Sequence, residues 1–203
     1  MIESKHLKGI RLSSEALDGL NHYLELLESW NERMDLVSPA PREKLIGRHF
    51  LDSVLAKSLL DKNLKGLPSG AWLDVGSGAG FPGMVFGILG QEMCLLEPRE
   101  KRSVFLKEVK RRLGLENVEI ITGRLEDYEE RPPLIISRAL SWTEGIEKAI
   151  SKLLLEGGYA VQMLSGGQEA TSSLLKLSAE IPYSLPSSEP SDVAERRLTL
   201  FQH

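Results

Sequence analysis

The sequence is poor in residues that bind metals or form cross-links. It contains one cysteine, Cys94, and four histidines among 203 residues. A single thiol cannot form an internal disulfide, and no Cys and His residues follow the spacing of a metal site. A chain of this length builds a full core without such supports. We therefore expect no metal and a location in the reducing cytoplasm.

Long apolar runs and an excess of positive charge are also missing. No run approaches the roughly 20 residues needed to span a bilayer, and residues 1–12 contain no apolar signal-peptide core. We expect a soluble monomer that does not contact membranes. The formal net charge is −4, which argues against nucleic-acid binding through a globally positive surface. Any basic surface must be local.

Residues 1–65 are predicted to form a helical extension that packs on the rest of the chain. Apolar residues recur at steps of three or four from Leu17 to Met34, as in an amphipathic helix, and Ser13 or Ser14 is available as its cap. A second helix is predicted over residues 43–60, between flanking prolines.

Residues 66–203 follow a different pattern, in which short apolar runs alternate with charged segments of helical length. This alternation is typical of βα units around a mainly parallel sheet, so we predict a Rossmann-like, doubly wound α/β domain. Strands are predicted at residues 71–75, 93–97, 118–122, 134–137, 159–164 and 197–201. Helices are predicted at residues 84–89, 101–113, 143–154 and 169–179, and a Ser- and Pro-rich loop at residues 182–192.

A glycine-rich turn follows the first predicted strand. Gly76, Gly78 and Gly80 come after Asp74 and precede Phe81, with Ser77 between the first two glycines. Glycines allow a sharp turn and let a ligand approach the main chain at the carboxyl edge of the sheet. The third glycine comes one place too early for the dinucleotide fingerprint. The spacing is that of S-adenosylmethionine-dependent methyltransferases, with NAD binding or a ligand-free tight turn as alternatives.

Two carboxylates accompany this turn. Glu97 ends the second predicted strand about twenty residues after Gly76, where a carboxylate can accept hydrogen bonds from both ribose hydroxyls of a nucleoside cofactor. Asp74 either holds the amides of the turn or contacts the cofactor directly. We count both among the candidate cofactor-binding residues.

Further motifs occur in a fixed order around the turn. They are His49-Phe50-Leu51-Asp52-Ser53, Lys101-Arg102-Ser103-Val104-Phe105-Leu106, Asn117-Val118, Arg124-Leu125-Glu126 and Ser137-Arg138-Ala139. With them the sequence resembles the RsmG (GidB) family of 16S rRNA (guanine(527)-N7)-methyltransferases over about residues 30–164. The resemblance implies a class I methyltransferase fold that uses S-adenosylmethionine to methylate a guanine N7 in the 530 loop, with 16S rRNA or the small ribosomal subunit as partner.

The resemblance also implies roles for individual residues. Gly76 and Phe81 would contact the cofactor, Leu125 and Glu126 would lie beside its adenine, and Arg138 would close the site. The chain departs from the family at three places. It has Glu97-Pro98 where the family usually has Asp-Ser, a change that keeps the carboxylate. It also has Asp35-Leu36-Val37 where the family usually has Asn-Leu-Thr, and Ser165-Gly166 where the family has Lys-Gly.

The chemistry fits a site without a general base. Guanine N7 already exposes a lone pair, so alignment with the methyl donor carries most of the rate. Arg138 is the one residue we assign to catalysis, as a positioning group. Its guanidinium could bind a phosphate, stack on a base or bind the methionine carboxylate. Cys94 is predicted to be a core residue with a raised thiol pKa, which argues against cytosine C5 methylation.

A local basic segment supplies candidates for RNA contact. Seven basic and two acidic residues lie between Arg99 and Arg112. They could follow a phosphate backbone, or they could simply form a solvated helix face. The RNA-binding candidates are His49, Lys101, Arg102, Lys107, Lys110 and Arg111. Two alternative functions stay open: an RNA-binding or assembly protein that keeps the cofactor without turnover, and an NAD-dependent oxidoreductase.

Overall fold

The computed structural model describes residues 1–3, 7, 9–170, 172–185 and 194–203. Its described part contains one sheet whose strands occur in the order β3-β2-β1-β4-β5-β7-β6. The strands are β1 (Trp72–Val75), β2 (Met93–Glu97), β3 (Val118–Thr122), β4 (Leu134–Arg138), β5 (Tyr159–Ser165), β6 (Lys176–Ser184) and β7 (Glu195–Gln202).

The sheet is doubly wound and mostly parallel. Strands β1 to β5 pair in parallel, and β7 and β6 add an antiparallel hairpin beside β5. The strand order reverses between β1 and β4, which opens a crevice at the carboxyl edge, where such sheets bind ligands. The predicted sheet is confirmed. β1 and β2 are buried along their whole length, as expected for strands covered on both faces.

Helices flank the sheet and form the predicted extension. They are α1 (Ser14–Met34), α2 (Arg42–Leu45), α3 (Asp52–Asn63), α4 (Gly83–Ile88), α5 (Glu100–Leu113) and α6 (Glu144–Leu153). Ser13 caps α1, because its hydroxyl oxygen accepts a hydrogen bond from the Ala16 amide at 3.2 Å. A six-residue π-helical segment, Ile46–Leu51, joins α2 to α3. The spacing of apolar residues in the sequence does not predict it.

The extension and the sheet share one core. Leu20, Tyr23, Leu24 and Leu27 of α1 are fully buried, and they belong to the same apolar cluster as residues of β1, β2 and β4. No described helix is long and apolar enough to cross a membrane.

The sequence prediction is wrong near the C-terminal end. The helix predicted at residues 169–179 is absent in its described part, and β6 begins at Lys176. β6 pairs only with β7, so it is an edge strand with mostly exposed side chains and lacks the apolar alternation of a half-buried strand. The loop predicted at residues 182–192 is also wrong in part, because residues 182–184 lie in β6. Residues 186–192 of that loop lie outside the described residues.

Candidate functional site

The glycine turn joins β1 to α4 at the carboxyl edge of the sheet. Gly76, Gly78 and Gly80 have φ values of 70°, 59° and 97°, a region that glycine adopts without the penalty of a side chain. The Gly76 amide donates to the Leu96 carbonyl oxygen at 2.9 Å, and the Gly80 amide donates to the Ser77 carbonyl oxygen at 2.7 Å. The sequence therefore needs glycine here for its backbone conformation.

The glycine turn is tightly packed at Gly80 and more open at Gly76 and Gly78. A Cβ atom on Gly80 would lie 2.6 Å from the Tyr23 hydroxyl and 2.9 Å from Leu106 Cδ2. One on Gly76 would meet no atom closer than 3.9 Å. One on Gly78 would come no closer than 3.4 Å, to Arg102 Nη1. Gly76 and Gly78 line a cavity, and Gly80 packs against α1 and α5.

Asp74 is completely buried below the turn. Its Oδ2 accepts a hydrogen bond from the Gly83 amide at 2.9 Å, and the Ser77 hydroxyl donates to its main-chain carbonyl at 2.9 Å. Asp74 Oδ1 is buried without a hydrogen-bond partner. Burial raises the pKa of Asp74 to about 7 against the opposing effect of the Gly83 amide. Asp74 thus holds the turn with one oxygen, while its other oxygen has no hydrogen-bond partner.

Glu97 also binds the turn. One of its carboxylate oxygens accepts from the Gly78 amide at 2.7 Å, and the other accepts from the Arg99 amide at 2.9 Å. The side chain is buried and lies outside the residues that line the cavity. Its predicted contact with a ribose stays a prediction, and its observed partners are backbone amides.

Phe81 is the centre of an aromatic cluster. Its ring stacks on Tyr23 with centroids 5.2 Å apart and on His49 with centroids 4.9 Å apart. Phe50 meets it edge-on at 5.1 Å, and the Arg138 guanidinium lies 5.2 Å from its centroid. Only 4% of the Phe81 surface is exposed. The packing of this ring fixes the turn against the extension.

Arg138 ends β4 and contacts the extension. Its Nη1 donates to the Arg48 carbonyl oxygen at 3.1 Å, and its Nη2 lies 2.8 Å from His49 Nδ1. Burial, followed by the charge of Arg138, lowers the pKa of His49 to about 3. His49 is therefore neutral, so its Nδ1 accepts this hydrogen bond and its proton lies on Nε2.

Cys94 lies in β2, and burial raises the pKa of its thiol to about 11.

A cavity of about 400 Å³ separates the turn from the extension. One wall is the turn with Arg102, and the other is formed by the segment 35–40 and the π-helical segment, with Arg138 between them. Of the predicted site residues, the structure brings Gly76, Ser77, Gly78, Phe81, Arg102, Arg138 and His49 to this cavity.

Other predicted site residues lie away from the cavity lining. Leu125 and Glu126 form a short 3-10 helix after β3, at the same edge of the sheet; Leu125 is buried and Glu126 exposed. Asp74, Gly80 and Glu97 do not belong to the cavity lining. Sequence reasoning missed Tyr23, Tyr183 and Arg196, which belong to distant elements and carry no local motif.

The predicted basic surface on α5 is only partly free. Lys101 is exposed and precedes Arg102, which lines the cavity. Lys107 is exposed and donates to the Thr122 hydroxyl at 3.2 Å. Lys110 is half-buried. Arg111 forms two hydrogen bonds with the Glu108 carboxylate, each 2.8 Å long. Glu108 therefore neutralises part of the positive charge at the end of α5, whereas no described carboxylate pairs with Lys101 or Lys107.

Comparison with known proteins identifies the family of the chain. The family model of GidB, rRNA small subunit methyltransferase G, matches residues 16–189. The chain belongs to this family. A protein of Ruthia magnifica called ribosomal RNA small subunit methyltransferase G is 36% identical over 84% of this chain and 83% of its own length. The protein of the same name from Chromobacterium violaceum is 32% identical over 93% of this chain and 90% of its own.

A third relative of that name, from Acetivibrio thermocellus, is 35% identical over 70% of this chain, and the match spans 60% of the relative's length. These relatives confirm the predicted family and, with it, the class of enzyme, a methyltransferase.

Solved structures confirm the methyltransferase fold. A mutant of MtNAS in complex with S-adenosylmethionine superimposes with a TM-score of 0.58 over 93% of this chain and 76% of that chain, at 16% identity. An rRNA methylase from Streptococcus thermophilus superimposes with a TM-score of 0.50 over 73% of this chain and 94% of that chain, also at 16% identity. At these identities the likeness concerns the fold.

Proposed function

We propose that the protein transfers a methyl group from S-adenosylmethionine to N7 of a guanine in the 530 loop of 16S rRNA. The observation that carries this proposal is the cavity between the glycine turn and the extension, in a chain of the methyltransferase G family. The relatives' names specify small-subunit rRNA, and the guanine position follows from the sequence resemblance.

The residues at the turn suit a sulfonium cofactor. Gly76 and Gly78 leave room for a ligand against the main chain. Asp74 Oδ1 is a buried acceptor without a partner, and a buried polar atom of this kind favours a ligand that can supply a hydrogen bond. When bound, S-adenosylmethionine supplies an activated methyl group. We propose that Asp74, Gly76, Gly78 and Arg138 hold it, with Glu97, Leu125 and Glu126 on its nucleoside side.

Arg138 and His49 are proposed to orient the reactants. Three arginines, Arg48, Arg102 and Arg138, are among the residues that line the cavity. Guanidinium groups bind phosphate and carboxylate groups in a fixed geometry. His49 is held neutral at physiological pH, so it does not oppose a positively charged purine with a charge of its own. Guanine N7 needs no proton removed, so alignment between these walls suffices.

A methyl-transfer assay tests the proposal. The full chain is incubated with S-adenosylmethionine carrying a tritiated methyl group and with small ribosomal subunits, or their naked 16S rRNA, that lack the modification. We expect label in the 530 loop as N7-methylguanine, located by cleavage at the modified base. Incorporation at another nucleotide would contradict the proposed position. Cofactor and RNA binding without incorporation would instead support an assembly protein without turnover.

Gly78→Val supplies the matched negative control. A branched side chain at φ 59° would strain the turn and fill space beside Arg102, so we expect cofactor affinity to be lost while RNA affinity is kept. Thermal stabilisation by S-adenosylhomocysteine but not by NADH would exclude the oxidoreductase alternative, because a ligand raises the unfolding temperature only of a fold that binds it.

A further inference from the structure

Four separate elements meet at the carboxylate of Asp52, the first residue of α3. The Tyr183 hydroxyl of β6 donates to Asp52 Oδ1 at 2.8 Å. Arg138 Nη1 of β4 lies 3.4 Å from Asp52 Oδ2, and Arg196 Nε of β7 lies 3.8 Å from Oδ1. The Asp52 side chain is 4% exposed. This arrangement joins the extension, the parallel sheet and the β6–β7 hairpin.

The same contacts fix the direction of the Arg138 guanidinium. Nη1 contacts both the Arg48 carbonyl oxygen and Asp52, and Nη2 contacts His49. The Arg138 side chain is 18% exposed and lines the cavity. A flexible arginine loses side-chain entropy when it binds a ligand, and partners that already hold it reduce that cost.

We propose that Asp52 is a positioning residue, which holds Arg138 in its ligand-binding orientation and is itself held by the Tyr183 hydroxyl of the β6–β7 hairpin. Asp52 does not line the cavity, so it acts through Arg138 and not on the ligand. This inference rests on the proposed function only in assigning S-adenosylmethionine as the ligand that Arg138 helps to bind.

The charges around Asp52 support this role. Two guanidinium groups face one carboxylate, and the neighbouring His49 is neutral. A buried carboxylate is costly unless it is paired and hydrogen-bonded. Asp52 has both kinds of partner, and removal of its charge leaves Arg138 with only neutral acceptors. The orientation of Arg138 then depends on weaker hydrogen bonds.

A double-mutant cycle tests the proposal. The dissociation constant of S-adenosylhomocysteine is measured by calorimetry for the full chain and for Asp52→Asn, Arg138→Met and the double variant. We expect Asp52→Asn to weaken binding about tenfold, the effect of losing a charged hydrogen-bond partner. In the Arg138→Met background we expect the same change to alter binding by less than about twofold.

Either of two results of this cycle would overturn the proposal. Unchanged affinity in Asp52→Asn, or losses that multiply in the double variant, would show that Asp52 does not act through Arg138. Asp61→Asn is the matched control, because it removes an exposed carboxylate of the same helix, paired with Lys57 at 2.5 Å. We expect it to leave the affinity unchanged.

Tyr183→Phe keeps the test decisive if Asp52→Asn does not fold. It removes one hydroxyl and retains the carboxylate, so we expect a folded protein and a roughly threefold loss of affinity, less than for a charged partner, that disappears in the Arg138→Met background. Persistence of that loss would overturn the proposal. If the wild type methylates RNA but the effects of the Asp52 and Arg138 substitutions are independent, only the positioning role of Asp52 is refuted. If the wild-type chain does not bind S-adenosylhomocysteine, the proposed function is refuted as well.

Discussion

The hydroxyl of Tyr23, in the middle of α1, donates a hydrogen bond to the carbonyl oxygen of Ala79, in the glycine turn. Both residues are buried, and the Tyr23 ring stacks on Phe81 at the end of the same turn. The extension therefore supports the main chain that forms one wall of the cavity. This contact crosses 56 positions of sequence and connects the two parts of the chain.

Tyr23→Phe is expected to weaken both stability and cofactor binding. It keeps the ring stacking but leaves the buried Ala79 carbonyl without its partner, a loss of about 1–3 kcal/mol. Urea unfolding measures the first effect, and calorimetry with S-adenosylhomocysteine measures the second. Tyr159→Phe is the control, because its hydroxyl makes no hydrogen bond to any described residue. Equal effects of the two substitutions would show that the Tyr23 hydroxyl does not support the turn.

Gly80→Ala should be more destabilising than Gly90→Ala. Both glycines have positive φ values, 97° and 88°, so the backbone strain is common to both. A Cβ atom on Gly80 would overlap Tyr23 and Leu106, whereas one on Gly90 would meet nothing within 4 Å. We expect an additional loss of roughly 1–3 kcal/mol for Gly80→Ala, the usual cost of overpacking. Thermal or urea unfolding checks this, and identical losses would refute the tight packing of the turn.

Asp74→Asn should change how stability depends on pH. The pKa of Asp74 is raised from 3.8 to about 7 in the fold. Between pH 4 and 7 the unfolded chain therefore releases a proton that the folded chain keeps, so the free energy of unfolding falls as pH rises and levels off above pH 7. The amide does not titrate, so this decline of up to roughly 4 kcal/mol should be absent in the variant.

The measurement for Asp74 is urea unfolding at a series of pH values for both proteins. All other carboxyl groups are shared, so their contributions cancel in the difference between the two curves. The variant should gain stability relative to the wild type as the pH rises from 4 to 8. Parallel curves would mean that the fold does not raise the pKa of Asp74.

Two pairs of basic residues on α5, Lys101 with Lys107 and Arg111 with Arg112, should contribute differently to RNA binding. Lys101 and Lys107 are exposed, whereas Arg111 and Arg112 share the Glu108 carboxylate. We expect Lys101→Glu with Lys107→Glu to weaken binding to a 530-loop RNA and to reduce the slope of log K against log salt by about one for each phosphate that is no longer bound. Arg111→Ala with Arg112→Ala should change the slope less. The reverse order would assign RNA contact to Arg111 and Arg112.

Local sequence patterns are sufficient to predict the central sheet and the glycine turn. β1, which contains Asp74, is a short run of mostly apolar residues, and the glycines after it indicate the turn by their spacing. β2 and β3 have the predicted bounds because both are short, bounded runs. The family can also be recognised, because its motifs lie close to the carboxyl edges of these strands.

Contacts over long sequence distances could not be predicted. Tyr183 and Asp52 are separated by 131 positions, and neither has a neighbour in sequence that indicates the other. The start of β6 is wrongly predicted as helix because an edge strand with exposed side chains gives no clear period. The π-helical segment places His49 beside Arg138, and a single irregular turn inside a long apolar pattern leaves no mark in the sequence.

The bond from Tyr23 to Ala79 also bears on how the polypeptide can be divided. A fragment starting at residue 66 would retain the seven strands that the structure describes, yet it would lack the ring and the hydroxyl that support its glycine-rich bend. The boundary between the helical and the alternating segments is thus a change of secondary structure, and we do not expect the alternating segment to fold well without the extension. The strands alone would have an unsupported bend and an exposed apolar face.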